Sequence, residues 1–265
     1  MIIVGERINT SRKTIDPAVR NRDTAFIQQT AKDQADAGAS YIDVNAGTLL
    51  SDEPAALEWL VKTVQAVVNK PLCIDSPNAK ATELALSAHQ GKALINSISG
   101  ETNRFNAMLP LVTKYKTSVI ALCMDDEGIQ ETPEKQLEKA TALAKRLFDA
   151  GVPPEDIYFD PLVRPISASP ESGYLVLETI RLFKTNFPNS HIICGLSNVS
   201  FGLPNRKLLN TAFLLMCMSA GLDAAILDPL DKRLMSLLAA GEVLLNRDAF
   251  AAHYIMLARE GKLEL

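Results

Sequence analysis

Cysteine, histidine and tryptophan are scarce in this chain, at four, three and one among 265 residues. No two of Cys73, Cys123, Cys194 and Cys217 form a CxxC pair, and the first three lie inside apolar, β-like runs. Zinc ribbons, iron–sulfur clusters and disulfide-stapled secreted folds are thereby excluded, and buried reduced thiols are expected. No apolar run approaches the roughly 18 residues of a membrane span. The opening Met1-Ile2-Ile3-Val4-Gly5-Glu6-Arg7 has neither the basic start nor the apolar length of a secretion signal. A cytoplasmic protein without membrane contact is the expectation. Runs of Lys or Arg interleaved with aromatics are missing as well. A net charge of −4 and a pI near 5.5 argue further against a nucleic-acid partner.

The chain does have an ordinary globular balance, with 47% apolar and 22% charged residues, and length enough to bury a core without staples. Short β-branched runs alternate with amphipathic stretches. The strand candidates are Ile2–Val4, Tyr41–Val44, Pro71–Ile74, Ala93–Ile95, Ser118–Met124, Ile157–Phe159, His191–Cys194 and Ala224–Leu227, eight in all. Between Pro54 and Asn69, apolar residues recur at helical spacing (Leu57, Leu60, Val61, Val64, Val67, Val68). Further helices are predicted from Thr132 to Ala150 with Gly151 as cap, and from Asn205 to Ala220 with Gly221 as stop. Residues 246–260 read as an extra C-terminal helix within the 246–265 tail.

Strand–helix units of about thirty residues imply a parallel sheet. A doubly wound sheet would carry a Gly-rich phosphate loop after its first strand, where this chain reads Gly5-Glu6-Arg7-Ile8-Asn9. Eight units without such a loop, and without any linker, favour one α/β domain over residues 1–265, a (β/α)8 TIM barrel.

Each predicted strand ends near a carboxylate or an amide: Glu6, Asp43 with Asn45, Asp75, Asn96, Asp125, Asp160, Asn198 and Asp228. Such residues also start turns and cap helices, which is the plain reading for Asp125 and Asp228. Asp75, Asn96, Asp160 and Asn198 stand out, because barrels place their sites at the C-terminal strand ends. Phosphorylated ligands would call for cations and glycine nests, and a divalent metal for acids on neighbouring strands. Carboxylates spaced by amides instead suit the amino-pyrimidinone edge of a pterin, whose N–H groups a carboxylate accepts pairwise. No bound metal is expected.

Several segments then carry a resemblance: Gly5-Glu6-Arg7-Ile8-Asn9, Asp43-Val44-Asn45-Ala46-Gly47, Cys73-Ile74-Asp75-Ser76, Ile95-Asn96-Ser97, Asp160-Pro161-Leu162, and Gly195-Leu196-Ser197-Asn198-Val199-Ser200 with Asn205-Arg206. Over nearly its whole length the chain resembles the methyltetrahydrofolate:corrinoid-protein methyltransferases of the pterin-binding barrel superfamily. The resemblance implies that Asp75, Asn96 and Asp160 hold the pterin of tetrahydrofolate or 5-methyltetrahydrofolate. Asn198 is implied as the catalytic residue, hydrogen-bonding N5. Gly195 and Ser197 would line the site and Arg206 and Ile226 would flank it, with Glu6, Asp43 and Asn45 as secondary candidates. A homodimer is implied too. One segment departs, Phe201-Gly202-Leu203-Pro204, where better-known members are more polar; it marks a different corrinoid partner or direction of transfer.

The chemistry agrees with that carry-over. N5 changes charge most during methyl transfer in either direction, so the decisive contact must strengthen there in the transition state. An amide can donate or accept, which suits a reversible step. No Asp-x-His-x-x-Gly motif surrounds His89, His191 or His253. The cobalamin is therefore expected on a partner, the corrinoid protein. Dihydropteroate synthase shares the fold, but its Asn-x-Thr-Pro-Asp-Ser-Phe-type loop and its basic, His-containing end are replaced here by Asn9-Thr10-Ser11-Arg12 and Asp228-Pro229-Leu230-Asp231. A non-catalytic pterin-binding subunit of a corrinoid complex is the other alternative, as is a metal-dependent aldolase- or enolase-type barrel.

Overall fold

Eight parallel strands make one sheet in the computed structural model, which describes residues 1–264. They are β1 (Ile2–Asn9), β2 (Tyr41–Asn45), β3 (Leu72–Asp75), β4 (Leu94–Ser99), β5 (Ser118–Leu122), β6 (Ile157–Asp160), β7 (His191–Ile192) and β8 (Ala224–Leu227). Successive strands pair in order and β8 pairs with β1. The ring closes between β7 and β8 through an isolated bridge joining Gly195 to Ile226, whose amide donates to the Cys194 carbonyl at 2.9 Å. The barrel expectation holds.

Around it run α1 (Ile15–Arg20), α2 (Thr24–Asp36), α3 (Glu53–Gln65), α4 (Ala79–Ala88), α5 (Thr102–Tyr115), α6 (Pro133–Asp149), α7 (Ser172–Asn186), α8 (Arg206–Ala220), α9 (Lys232–Leu244) and α10 (Ala252–Arg259). The Thr132 hydroxyl caps α6, and Gly151 and Gly221 follow α6 and α8 with φ of +83° and +121°, as their positions predicted. No helix among the described residues is long and apolar enough to cross a membrane.

Strand alternation divides the interior into two cores. Outward side chains such as Ile42, Ile74, Ile95, Val119 and Phe159 pack under the helices. Inward ones form a separate plug of Val4, Cys73, Leu94, Ile120, Tyr158, Ile193 and Ala224, with Tyr41 against it. Two residues further along each strand comes the next inward position. Those positions are Glu6, Asp43, Asp75, Asn96, Leu122, Asp160, Gly195 and Ile226. The polar strand ends thus form one layer on top of an apolar plug.

Several predicted bounds are corrected. β1 continues to Asn9, whereas β7 stops at Ile192 because the chain beyond Gly195 turns away. β5 ends at Leu122, and Met124–Asp125 pairs instead with Gly128–Ile129 in a small antiparallel hairpin. Helix α3 ends at Gln65, short of Asn69. The C-terminal helix begins at Ala252 rather than 246, since Asn246, Phe250 and Ala251 are left-handed and the Asp248 carboxylate caps the amides of His253 and Tyr254 at 3.1 and 2.9 Å.

Candidate active site

Asp75 and Asn96 are register partners on β3 and β4, so their side chains rise together into the barrel mouth. Asn45, one inward position beyond Asp43, donates from Nδ2 to Asp75 Oδ2 at 2.8 Å, while its own Oδ1 accepts the Gly47 amide at 2.9 Å. Burial raises the Asp75 pKa, and the Asn45 bond and the charge of Arg104 oppose the rise. Asp43 lies deeper, only 2% exposed and with Oδ1 unpartnered. Burial, with the neighbouring Asp75 adding to it, pushes its pKa well above the usual carboxylate range. Asp160 stands on β6, buried, its Oδ1 accepting the Leu162 amide at 2.7 Å. Burial carries its pKa up to about 7.

Glu6 is less available than its strand position promised. Arg12 pairs with it at 2.7 Å, and Arg7 holds Asp228 at 2.9 Å beside it. Burial raises the Glu6 pKa against the pull of Arg12. Asp125 and Asp228 fulfil the plain reading, each accepting a backbone amide two residues on, at 3.1 and 3.0 Å.

Asn198 does not end a strand. It lies in a 3-10 turn, Leu196–Ser200, that buries Leu196 and Val199 and leaves the Asn198 side chain exposed. That side chain folds back over Gly195, where an added Cβ would come within 3.0 Å of the amide nitrogen. Any side chain there would have to push the Asn198 amide aside. Arg206 braces the turn, with Nη2 donating to the Ser197 carbonyl at 2.7 Å and Nε to Ser200 Oγ at 3.1 Å. Ile226 bridges to Gly195 and is half-buried below. Asp75, Asn96, Asp160, Gly195, Ser197, Asn198 and Ile226 therefore share one end of the barrel, with Arg206 behind them.

Arg104 escaped the sequence reading. Standing in the first turn of α5, it donates to the carbonyls of Ser97 at 3.0 Å and Ser76 at 3.3 Å, tying the upper part of β4 to the residue that follows β3. A lone arginine in an amphipathic helix gives no sequence signal. A cavity of about 370 Å³ opens at the opposite end among Lys92, Lys116, Thr117 and Asp156 and includes none of these residues. Two of the three histidines have structural places, His89 Nε2 accepting the Leu72 amide at 3.1 Å and His191 stacking on Tyr158 at 4.5 Å, while His253 is exposed. All four cysteines are buried. No His/Cys/Asp/Glu group that could hold a metal exists among the described residues.

The model of the family described as pterin binding enzyme matches residues 5–228, the whole span from the first polar strand end to the last. This chain is a pterin-binding enzyme family member. Within the family's wider kinship, it is 36% identical over 265 residues to a methylcorrinoid:tetrahydrofolate methyltransferase of Eubacterium limosum, covering 99% of this chain and 98% of that one. A methionine synthase of Mycobacterium tuberculosis is 31% identical over 239 residues, 85% of this chain but only 20% of that much longer protein. In fold, this pterin-binding barrel is similar to the Yersinia pestis dihydropteroate synthase, with a TM-score of 0.68 at 16% identity over 92% of this chain and 93% of that one. The Yersinia pestis enzyme with a pterine–sulfa conjugate gives 0.69 at 16% identity, covering 92% and 94%.

Proposed function

We propose that this chain is a methyltransferase that moves a methyl group between N5 of tetrahydrofolate and the cobalt of a corrinoid carried by a partner protein. The reading is carried by one observation: a carboxylate–amide layer of buried Asp160 and half-buried Asp75 and Asn96 lies beneath a braced turn that presents Asn198. The layer matches the hydrogen-bonding edge of a pterin, and Asn198 is the group left to meet N5. Gly195, Ser197 and Ile226 line the approach, and Arg206 holds the turn in place.

The name of the full-length Eubacterium limosum relative supports transfer from methylcorrinoid to folate. In that direction the N5 lone pair attacks the methyl carbon, the carbon–cobalt bond breaks with both electrons going to cobalt, and the N5 proton leaves. Positive charge develops on N5, and the Asn198 amide oxygen can accept from its N–H as that happens. In the reverse direction, the amide nitrogen donates to N5 as the methyl departs.

On this reading the whole chain, residues 1–265, acts as one cytoplasmic unit, and the corrinoid is a substrate brought to the barrel mouth by its protein. The exposed Leu244 and Phe250, at 84% and 99%, support a homodimer through the C-terminal helices, which leaves the mouths free. Light scattering should give twice the 28.8 kDa chain mass, and a monomer would remove that part. The test of function is to mix the purified protein with methylcobalamin and tetrahydrofolate and follow 5-methyltetrahydrofolate. Folate binding without any transfer would favour the non-catalytic subunit instead.

A further inference from the structure

Phe201 is 63% exposed although it belongs to one of the most tightly pinned loops of the barrel mouth. Its amide donates to the Asn198 carbonyl at 3.1 Å, and its carbonyl accepts from Ser167 Oγ at 2.7 Å. The loop after β6 is locked to the same turn by the Ile166 amide on the Val199 carbonyl at 3.0 Å. Gly202 takes a φ of +80°, and a Cβ there would lie 3.2 Å from Ser167 Oγ. The Arg206 guanidinium, which braces the Asn198 turn, sits 5.7 Å from the Phe201 ring centroid. Leu208, in the first turn of α8, adds a second apolar side chain at 72% exposure. None of this buries the ring. The loop spends its hydrogen bonds on holding an aromatic face in water, three residues from the amide proposed to meet N5.

We infer that Phe201 is an apolar platform for the corrin macrocycle, holding it over N5 during methyl transfer. The inference rests on the corrinoid reading above. For cobalt to exchange a methyl group with N5, the corrin plane must lie across the barrel mouth. That plane is much wider than a pterin, so its conjugated, methyl-edged periphery overhangs the rim. A backbone already fixed loses little freedom on contact, and a phenyl side chain has only two rotatable bonds to immobilise, so most of the gain from burying the ring is kept.

The test uses the full chain, free methylcobalamin and tetrahydrofolate, comparing Phe201→Gln and Phe201→Leu with wild type. An exposed side chain should be replaceable without unfolding, which circular dichroism checks. Phe201→Gln should lower kcat/KM for methylcobalamin by about 3- to 10-fold through KM, as expected for one lost aromatic contact. Phe201→Leu should recover most of it, and the tetrahydrofolate Kd should stay within about twofold in both. An unchanged methylcobalamin KM in Phe201→Gln overturns the platform while leaving the methyltransferase reading intact. So does a matching rise in the tetrahydrofolate Kd, which would make Phe201 a folate contact. Failure of the wild-type protein itself to transfer methyl would overturn the functional reading, and the platform with it.

Discussion

Asn45 and Asp75 act as one unit, joined by a 2.8 Å hydrogen bond and anchored through Asn45 Oδ1 to the Gly47 amide. The amide fixes the carboxylate's orientation and offsets the cost of its burial. Asp75→Ala should weaken tetrahydrofolate binding by about 2–3 kcal/mol, or roughly 30- to 150-fold. Asn45→Ala should cost about 1 kcal/mol, near fivefold. The double variant should be scarcely worse than Asp75→Ala, because Asn45 works through Asp75. Calorimetric titration of the three proteins measures this, and simple additivity would show that Asn45 touches the ligand itself.

Asp160 makes binding depend on pH. Burial favours its protonated form up to about pH 7, whereas a pterin donating N–H groups needs the carboxylate. Binding must expel that proton, so affinity should fall below neutrality by up to about tenfold per unit and level off above it. Titrations in two buffers of different ionisation enthalpy would detect the released proton. Affinity that is flat through neutrality contradicts the assignment. The same raised pKa makes the free fold lose stability as pH climbs from the ordinary carboxylate range to about 7, since the unfolded chain ionises first.

Removing the Asn198 amide should slow transfer more than it weakens binding. Asn198→Ala is expected to lower the single-turnover rate by roughly 10²–10³, as for loss of a preorganised group at a developing charge. Gly195→Ala should reproduce part of that loss without removing any polar group, because its Cβ would lie 3.0 Å from the Asn198 nitrogen and press that amide aside. If Asn198→Ala transfers methyl at the wild-type rate once saturated with folate, another group serves N5.

Arg104 should be felt at Asp75. Replacing it with Met removes both carbonyl bonds and the nearby positive charge, so the Asp75 pKa rises further. The pH below which folate binding weakens should move upward relative to wild type. A uniform loss of affinity at every pH would point to a purely structural role.

The eight-strand barrel and its polar layer were legible in the sequence for a specific reason. Inward strand positions recur every second residue, so Cys73 before Asp75, Leu94 before Asn96 and Tyr158 before Asp160 already record an apolar plug topped by polar groups. The strand ends could be read because burial on both faces leaves continuous apolar runs. What the sequence alone could not decide was anything set by contacts distant along the chain. Glu6 stood among the secondary candidates, but its pairing with Arg12 is set by the fold, as is the reach of Arg104 to the Ser97 carbonyl. Asn198 passed for a strand terminus because Leu196 and Val199 supply the same apolar signal from a 3-10 turn. The ring itself closes through little more than the Gly195–Ile226 bridge, and the reach of Arg206 decides where that turn points. Local alternation fixes which face a side chain takes; only packing between strands far apart in sequence fixes which charges are neutralised and which amide is left free.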